Sequence, residues 1–159
     1  KLWGMSTGLL HLGFLQILLG ALVAGIDAGR NYIDWPLMAG GVLPPGIFEI
    51  EPLWRNFFEN DGLVQFMHRV TGYVLAIYAF FVWRAGRKSV HPATRRAFGD
   101  MGALMAVQIV LGIVTVMSTA PWQLAILHQF TAVVLWVAIL RARHLAGYPV
   151  ATSLRGSPA

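Results

Sequence analysis

His68-Arg69-Val70-Thr71-Gly72-Tyr73-Val74-Leu75 decides the fold, because a second stretch repeats it. His128-Gln129-Phe130-Thr131-Ala132-Val133-Val134-Leu135 has the same order, His-x-x-Thr-small-x-Val-Leu. The two phrases lie inside long apolar runs, residues 64–83 and 122–140. An ionisable imidazole within a membrane segment marks a functional site by default. A single histidine on a helix face is ordinarily a structural hydrogen-bonder. Two in matched contexts on separate helices point instead to a pair of axial ligands for one haem iron.

Around this pair the composition is that of a membrane protein. Of 159 residues, 57% are hydrophobic and 12% charged, against about a quarter charged in an ordinary soluble domain. Four apolar runs, residues 8–26, 64–83, 101–118 and 122–140, approach the ~20 residues a transmembrane helix needs. The expected fold class is all-α: a polytopic four-helix bundle in one domain, residues 1–150, with a tail at 151–159. No cysteine is present, which excludes disulfides, iron–sulfur clusters, thiolate-ligated haem and covalent c-type attachment.

The formal net charge of +5 is unevenly spread. Residues 84–100 carry Arg84, Arg87, Lys88, Arg95 and Arg96, and Arg141, Arg143 and Arg155 follow the last span. Residues 27–62 carry Asp27, Asp34, Glu49, Glu51, Glu59 and Asp61 against Arg30 and Arg55. This is the positive-inside asymmetry and not the footprint of a nucleic-acid partner. It predicts both termini and the basic loop on the cytoplasmic or matrix side of an inner membrane, with the acidic loop outside. The chain starts Lys1-Leu2-Trp3 without a Met. The expectation is a piece of a longer protein whose first run is a true span, since it is too long for a signal-peptide core.

Gly20 and Ala24, and Ala21 and Gly25, are four residues apart in the first span, a spacing that lets helix backbones approach closely. Gly20 also offers clearance for a flat macrocycle. The outer connection, residues 27–62, contains Gly40-Gly41 and Pro44-Pro45-Gly46, which break regular structure. Leu53, Trp54, Phe57 and Phe58 recur at helical spacing opposite Arg55, Asn56 and Glu59. This predicts a short amphipathic helix over residues 52–60, acting as a lid or as an aromatic interface anchor.

A second repeat joins the first. Gln16-Ile17-Leu18-Leu19-Gly20 matches Gln108-Ile109-Val110-Leu111-Gly112. Each half of the chain is thus an out-and-back helix pair, with the glutamine phrase on its first helix and the histidine phrase on its second. Both pairs start on the same side, so a pseudo-twofold axis along the membrane normal relates them, as in other parallel repeats. His68 and His128 then sit at similar depth near the outer face.

Helical spacing places His68, Thr71, Gly72 and Leu75 on one face, and His128, Thr131, Ala132 and Leu135 on the other. Gly72 and Ala132 leave room for a porphyrin edge, and Thr71 and Thr131 orient the backbone or ring. Arg69, Arg30 and Arg55 are candidates to pair with propionates, because guanidinium suits carboxylate geometry. Zinc is disfavoured: its sites use three or four protein ligands, and no third ligand accompanies the pair. His11, His91 and His144 receive no cofactor role.

Several ordered motifs carry a resemblance. Gly20-Ala21-Leu22-Val23-Ala24-Gly25-Ile26-Asp27-Ala28-Gly29, Trp35-Pro36-Leu37-Met38, Asn56-Phe57-Phe58-Glu59-Asn60 and Gln65-Phe66-Met67-His68-Arg69 resemble the haem A synthase family. Leu111-Gly112-Ile113-Val114-Thr115 and Leu124-Ala125-Ile126-Leu127-His128-Gln129 do so too. The likeness is to the alphaproteobacterial and mitochondrial type, over residues 16–144. It implies the C-terminal half of an eight-helix protein that oxidises a ring methyl of haem O to the formyl of haem A for cytochrome c oxidase. It further implies a haem b held by His68 and His128, and a missing N-terminal four-helix half that holds the substrate. Haem O synthase and cytochrome oxidase assembly proteins are the partners it suggests. On this reading the 159 residues alone bind haem without completing the reaction. Two other readings compete: a standalone bis-histidine cytochrome b that passes electrons, and a haem-free membrane assembly or scaffold protein.

Overall fold

The computed structural model describes residues 1–150, so the tail at 151–159 lies outside the described residues. Five helices follow in order: α1 (Leu2–Gly25), α2 (Asn56–Glu59), α3 (Asp61–Gly86), α4 (Pro92–Met117) and α5 (Trp122–Gly147). Two 3-10 turns, Ala28–Arg30 and Leu53–Arg55, lie in the long connection. No strand forms among the described residues; Met38 and Gly41 make an isolated antiparallel bridge. The chain is therefore all-α, as its apolar runs predict.

The four long helices have 24 to 26 residues and are apolar enough to cross a membrane. At 1.5 Å per residue they reach roughly 36–39 Å, more than the ~30 Å hydrocarbon core of a bilayer. They extend past the apolar runs because their ends are made of helix starters and stoppers. Asn60 caps α3 by accepting a hydrogen bond from the Leu63 N–H at 3.0 Å, and Asp61 sits in the first turn, where a negative charge suits the helix dipole. Pro92 opens α4 at a position where no backbone N–H is needed. Pro121 precedes α5.

Each long helix packs against two others, α1 against α3 and α5, and α4 against the same two. All these neighbours are antiparallel. Tyr78 Oη donates to the Met5 carbonyl at 3.0 Å between α3 and α1. Trp136 Nε1 donates to the Leu10 carbonyl at 3.2 Å between α5 and α1. Thr94 Oγ1 donates to the Leu145 carbonyl at 3.0 Å between α4 and α5. The result is a closed ring in which α3 and α5 stand diagonally and run parallel.

The interior is filled unevenly. One continuous apolar cluster joins Leu9, Leu75, Ala79, Val82, Ala97, Phe98, Met101, Met105, Leu135, Ile139 and Ala142. It lies toward the end of the bundle away from the long connection. There aromatic rings pack so closely on glycine backbone that a Cβ on Gly86 would clash with the Phe98 ring, and one on Gly102 with the Trp83 ring. Toward the other end the inward stripes are only partly buried. No residue is fully buried in α1 after Gly13, in α3 between Gln65 and Leu75, in α4 between Met105 and Thr115, or in α5 before Leu135.

The long connection is tied to the open end. Gln65 Nε2 donates to the Ala28 carbonyl at 2.9 Å, and a Cβ on Gly29 would meet Ala120, in the α4–α5 turn, at 3.3 Å. Asp34 accepts from the Ala39 and Gly40 N–H groups, both at 3.0 Å. These two bonds hold its carboxyl below the ordinary carboxylate value, Gly40 contributing most.

The segment 52–60 differs from the amphipathic helix expected there. It is a 3-10 turn followed by the four-residue α2, and its polarity runs inward. Asn56 is 0% exposed, whereas Leu53, Trp54, Phe57 and Phe58 are all exposed. Asn56 Nδ2 donates to the Ile50 and Leu53 carbonyls at 2.7 and 2.9 Å, and its Oδ1 accepts from the Ile50 N–H at 3.0 Å. A carboxamide that closes a tight chain reversal is worth more inside than an aromatic ring, because it satisfies three buried backbone groups. Arg55 and Glu59 pair on the surface at 2.5 Å.

Candidate haem-ligand site

His68 lies seven residues into α3 and His128 six residues into α5, counted from Asp61 and Trp122. Both are in the second turn, about 10 Å along their helices, on the two diagonal and parallel members of the ring. The stripe that carries each is buried farther down and half-buried here. On α3 Leu75, Ala79 and Val82 are buried while His68, Thr71 and Gly72 are half-buried; on α5 Leu135, Ile139 and Ala142 are buried while His128, Thr131 and Ala132 are half-buried. Both histidines therefore lie in the partly buried stretch of their helices.

The neighbouring helix of each pair positions the ring. A Cβ built on Gly20 of α1 would come within 3.0 Å of His68 Cε1, and one on Gly112 of α4 within 3.0 Å of His128 Cε1. The two glycines occupy equivalent places, and both rings lie directly over backbone. One turn before each glycine stands a glutamine. Gln16 Nε2 donates to the His68 main-chain carbonyl at 3.0 Å and lies 3.1 Å from its ring Nδ1 and 3.3 Å from its ring Nε2. Gln108 Nε2 donates to the His128 carbonyl at 2.9 Å and lies 3.1 Å from its Nδ1. A ring whose Nδ1 accepts carries its proton on Nε2.

The remaining candidates divide. Thr131 Oγ1 donates to Gln108 Oε1 at 2.6 Å and so fixes that amide. Thr71 makes no such bond to Gln16, whose Oε1 is buried without a partner among the described residues. Gly72 clears space for the Gln16 amide, with its built Cβ 3.2 Å from Nε2; Ala132 holds the matching place on α5.

Arg69 spends its guanidinium on the long connection. Its Nη1 donates to the Asp34 and Leu37 carbonyls, both at 2.9 Å, and its Nη2 to the Tyr32 carbonyl at 2.7 Å and to Gln65 Oε1 at 2.9 Å. That leaves the single Nε–H uncommitted. Arg30 and Arg55 are exposed or half-buried on the loop surface, paired with Asp27 and Glu59. His11 and His144 are exposed and His91 caps α4, so none joins the pair. Among the described residues no group of three or more His, Cys, Asp or Glu comes together.

Three observations fit a flat, largely apolar group held by two imidazoles. The donor set is a pair of imidazoles with no acidic third partner, the set bis-histidine haem ligation uses. Glycine backbone lies beneath each ring. The stretches of α3 and α5 around the two histidines hold no fully buried side chain, from Phe66 to Val74 and from Trp122 to Val134.

The sequence alone did not single out Gln16 and Gln108 as partners of the two histidines. Their signal was the repeat of Gln-Ile-x-Leu-Gly in step with the histidine phrases.

Residues 1–140 match the sequence profile of the COX15-CtaA family, described as cytochrome oxidase assembly protein. The chain is 64% identical to a haem A synthase of Ruegeria pomeroyi over 156 residues, covering 98% of this chain and 41% of that protein. It is 65% identical to a haem A synthase of Roseobacter denitrificans, covering 99% and 41%. To that of Paracoccus denitrificans it is 55% identical, again covering 99% and 41%. This chain thus spans about two-fifths of the length of these relatives. No solved structure matches it. With a match over most of its length, a repeat of paired helices and two equivalent histidines, the chain belongs to the COX15-CtaA family of cytochrome oxidase assembly proteins.

Proposed function

We propose that these residues form the haem b-binding half of a haem A synthase, with His68 and His128 as the axial ligands. The whole enzyme oxidises a ring methyl of haem O to the formyl of haem A. The other half, N-terminal in the same family, takes the substrate. The observation that carries this reading is the equivalence of the two histidines: diagonal helices, the same turn, a glycine beneath each and a half-buried setting for both. When bound, a haem supplies a one-electron redox centre whose potential is tuned by its ligands. The chain's residues bind and orient it. Gly20 and Gly112 admit the rings, Gly72 and Ala132 keep the adjoining turn small, and Thr131 fixes the Gln108 amide. Thr71 lines the same face without that bond. Arg69 would offer positive charge and one free N–H to a carboxylate of such a group, while its other donors hold the loop and Gln65.

The protein sits in an inner membrane, with its basic loop and both termini on the cytoplasmic or matrix side and the histidine pair near the outer face. The charge asymmetry between residues 27–62 and 84–100 supports that orientation. Haem O is the substrate partner, and haem O synthase or other oxidase assembly proteins are its neighbours in the process.

The test is a reduced-minus-oxidised visible spectrum of the protein in detergent, beside His68→Ala and His128→Ala. A sharp low-spin b-type band, lost or weakened in both variants, is the expected result. A colourless protein that stays colourless when the N-terminal half is supplied would overturn the reading.

A further inference from the structure

A groove of about 410 Å³ lies at the basic end of the bundle, between the start of α1 and the end of α3. Lys1, Arg84 and Lys88 edge it, and Leu2, Met5 and Phe81 give it an apolar lining. Its volume falls within the ~300–1,000 Å³ of small-molecule sites. Tyr78 Oη, donating to the Met5 carbonyl at 3.0 Å, joins the two helices beneath it. Phe81 is 55% exposed and Ile77, one turn deeper, 61%. The apolar lining therefore runs on along the outer face of a helix that is apolar enough to cross a membrane.

The charges around the groove are uncompensated within the chain. Of the seven acidic residues, six lie in residues 27–62, and the seventh, Asp100, pairs with Arg141 at 3.2 Å. Other basic residues of this end are spent on the protein itself. Arg95 donates to the Ser89 and Val90 carbonyls at 3.0 and 3.2 Å, and Arg143 donates to Thr7 Oγ1 at 2.8 Å and lies over the Trp3 ring. Lys1, Arg84 and Lys88 make no ion pair among the described residues. Three cations around one groove repel each other, and an anion from outside the chain relieves that repulsion. Membrane orientation asks only for positive charge on this side, not for its arrangement around an apolar groove.

We propose that this groove holds one anionic phospholipid, with its phosphate among Lys1, Arg84 and Lys88 and an acyl chain along Leu2, Met5 and Phe81 toward Ile77. Basic pockets between transmembrane helices on the cytoplasmic side suit such headgroups. A free phosphate uses the cations and leaves the apolar lining in water, so the lining selects the lipid. The inference needs only that the helices cross a bilayer, and it is independent of the haem b reading.

The experiment is native mass spectrometry of the delipidated protein in detergent, titrated with phosphatidylglycerol or with phosphatidylcholine of the same acyl chains. Circular dichroism checks the helix content of each variant. One phosphatidylglycerol per chain is expected to be held more tightly than phosphatidylcholine. Arg84→Gln and Lys88→Gln are each expected to weaken its retention roughly fivefold. Arg96→Gln, which removes an exposed charge outside the groove, is expected to change it little. Ala85→Phe keeps every charge but fills the groove that Ala85 lines, and is expected to weaken retention too. Equal retention of the two lipids, or an equal loss in Arg96→Gln, would overturn the site. Displacement of the lipid by an equal concentration of glycerol phosphate would reduce it to an anion site and overturn the lipid. Where a charge variant fails to insert, Ala85→Phe decides: weakened retention supports the groove, and unchanged retention overturns it.

Discussion

Gly20 lies beneath the His68 ring so closely that a side chain of any size on Gly20 would displace it. A Cβ there stands 3.0 Å from Cε1, and the Gly112–His128 pair repeats the distance. This close approach is what the small residue in the first helix of each pair provides. Small residues in membrane helices commonly serve backbone contact; here the partner is an imidazole.

Substitution separates ring placement from helix stability. Alanine is favoured over glycine in a helix interior by about 1 kcal/mol, so Gly20→Ala and Gly112→Ala are expected to keep their helix content. The ring must yield by a few tenths of an ångström, and haem content is expected to fall. Gly20→Val, with two more methyls, is expected to lose at least half of it. Haem per polypeptide and far-ultraviolet circular dichroism, measured together, check this. Undiminished haem in Gly20→Val would mean that the ring position is not critical.

Arg69→Leu removes the three bonds that tie residues 32, 34 and 37 to α3, and with them its bond to Gln65 within that helix. Hydrogen-exchange protection around residues 28–41 is expected to drop, while the α1, α4 and α5 amides near the apolar cluster keep theirs. Arg69→Lys restores charge but not the planar fork, and is expected to recover only part of the protection. Equal protection in Arg69→Leu and the unaltered protein would show that the loop is held elsewhere.

Asn56→Ala leaves the Ile50 N–H, the Ile50 carbonyl and the Leu53 carbonyl without their buried partner. Each unpaired buried group costs about 1–3 kcal/mol, so this segment is expected to open at far lower denaturant than the bundle. Exposed neighbours serve as controls: Phe58→Ala is expected to change local opening little. Limited proteolysis between residues 46 and 60 reads the difference.

The Asp34 carboxyl is held below its ordinary value of 3.8, by the Gly40 N–H first and then Ala39. A lowered value in the folded state stabilises the loop above pH 3.8 and is lost as pH falls through the lowered value. Loop cleavage at residues 34–41 is therefore expected to be flat from neutral pH down to 3.8 and to rise below it. Asp34→Asn is expected to flatten the acid rise. An upturn near pH 6 in the unaltered protein would assign loop closure to a histidine instead.

The spans, the doubled helix pair and the equivalence of the two histidines were legible in the sequence because each is a local or repeated pattern. Period and apolar content announce a helix, and His68 and His128 share a phrase. The pairing of Gln16 with His68 was not legible, since it joins residues 52 positions apart through polar atoms that leave no period. The inward turn of Asn56 was hidden for a related reason. The aromatics around it have helical spacing, but spacing says which residues share a face and not which face is inside. Arg69 likewise reads as a free charge until its backbone acceptors, more than 30 positions earlier, are brought beside it.

The uneven burial of the ring gives the molecule a tight base and a looser top. Leu75, Phe98, Met101 and Ile139 hold the base, while the top is tied by a polar clasp, chiefly Arg69 and Gln65 with the carbonyls they hold. The two ends should therefore come apart separately: opening of the loop should follow the clasp, while the melting of the bundle follows the base.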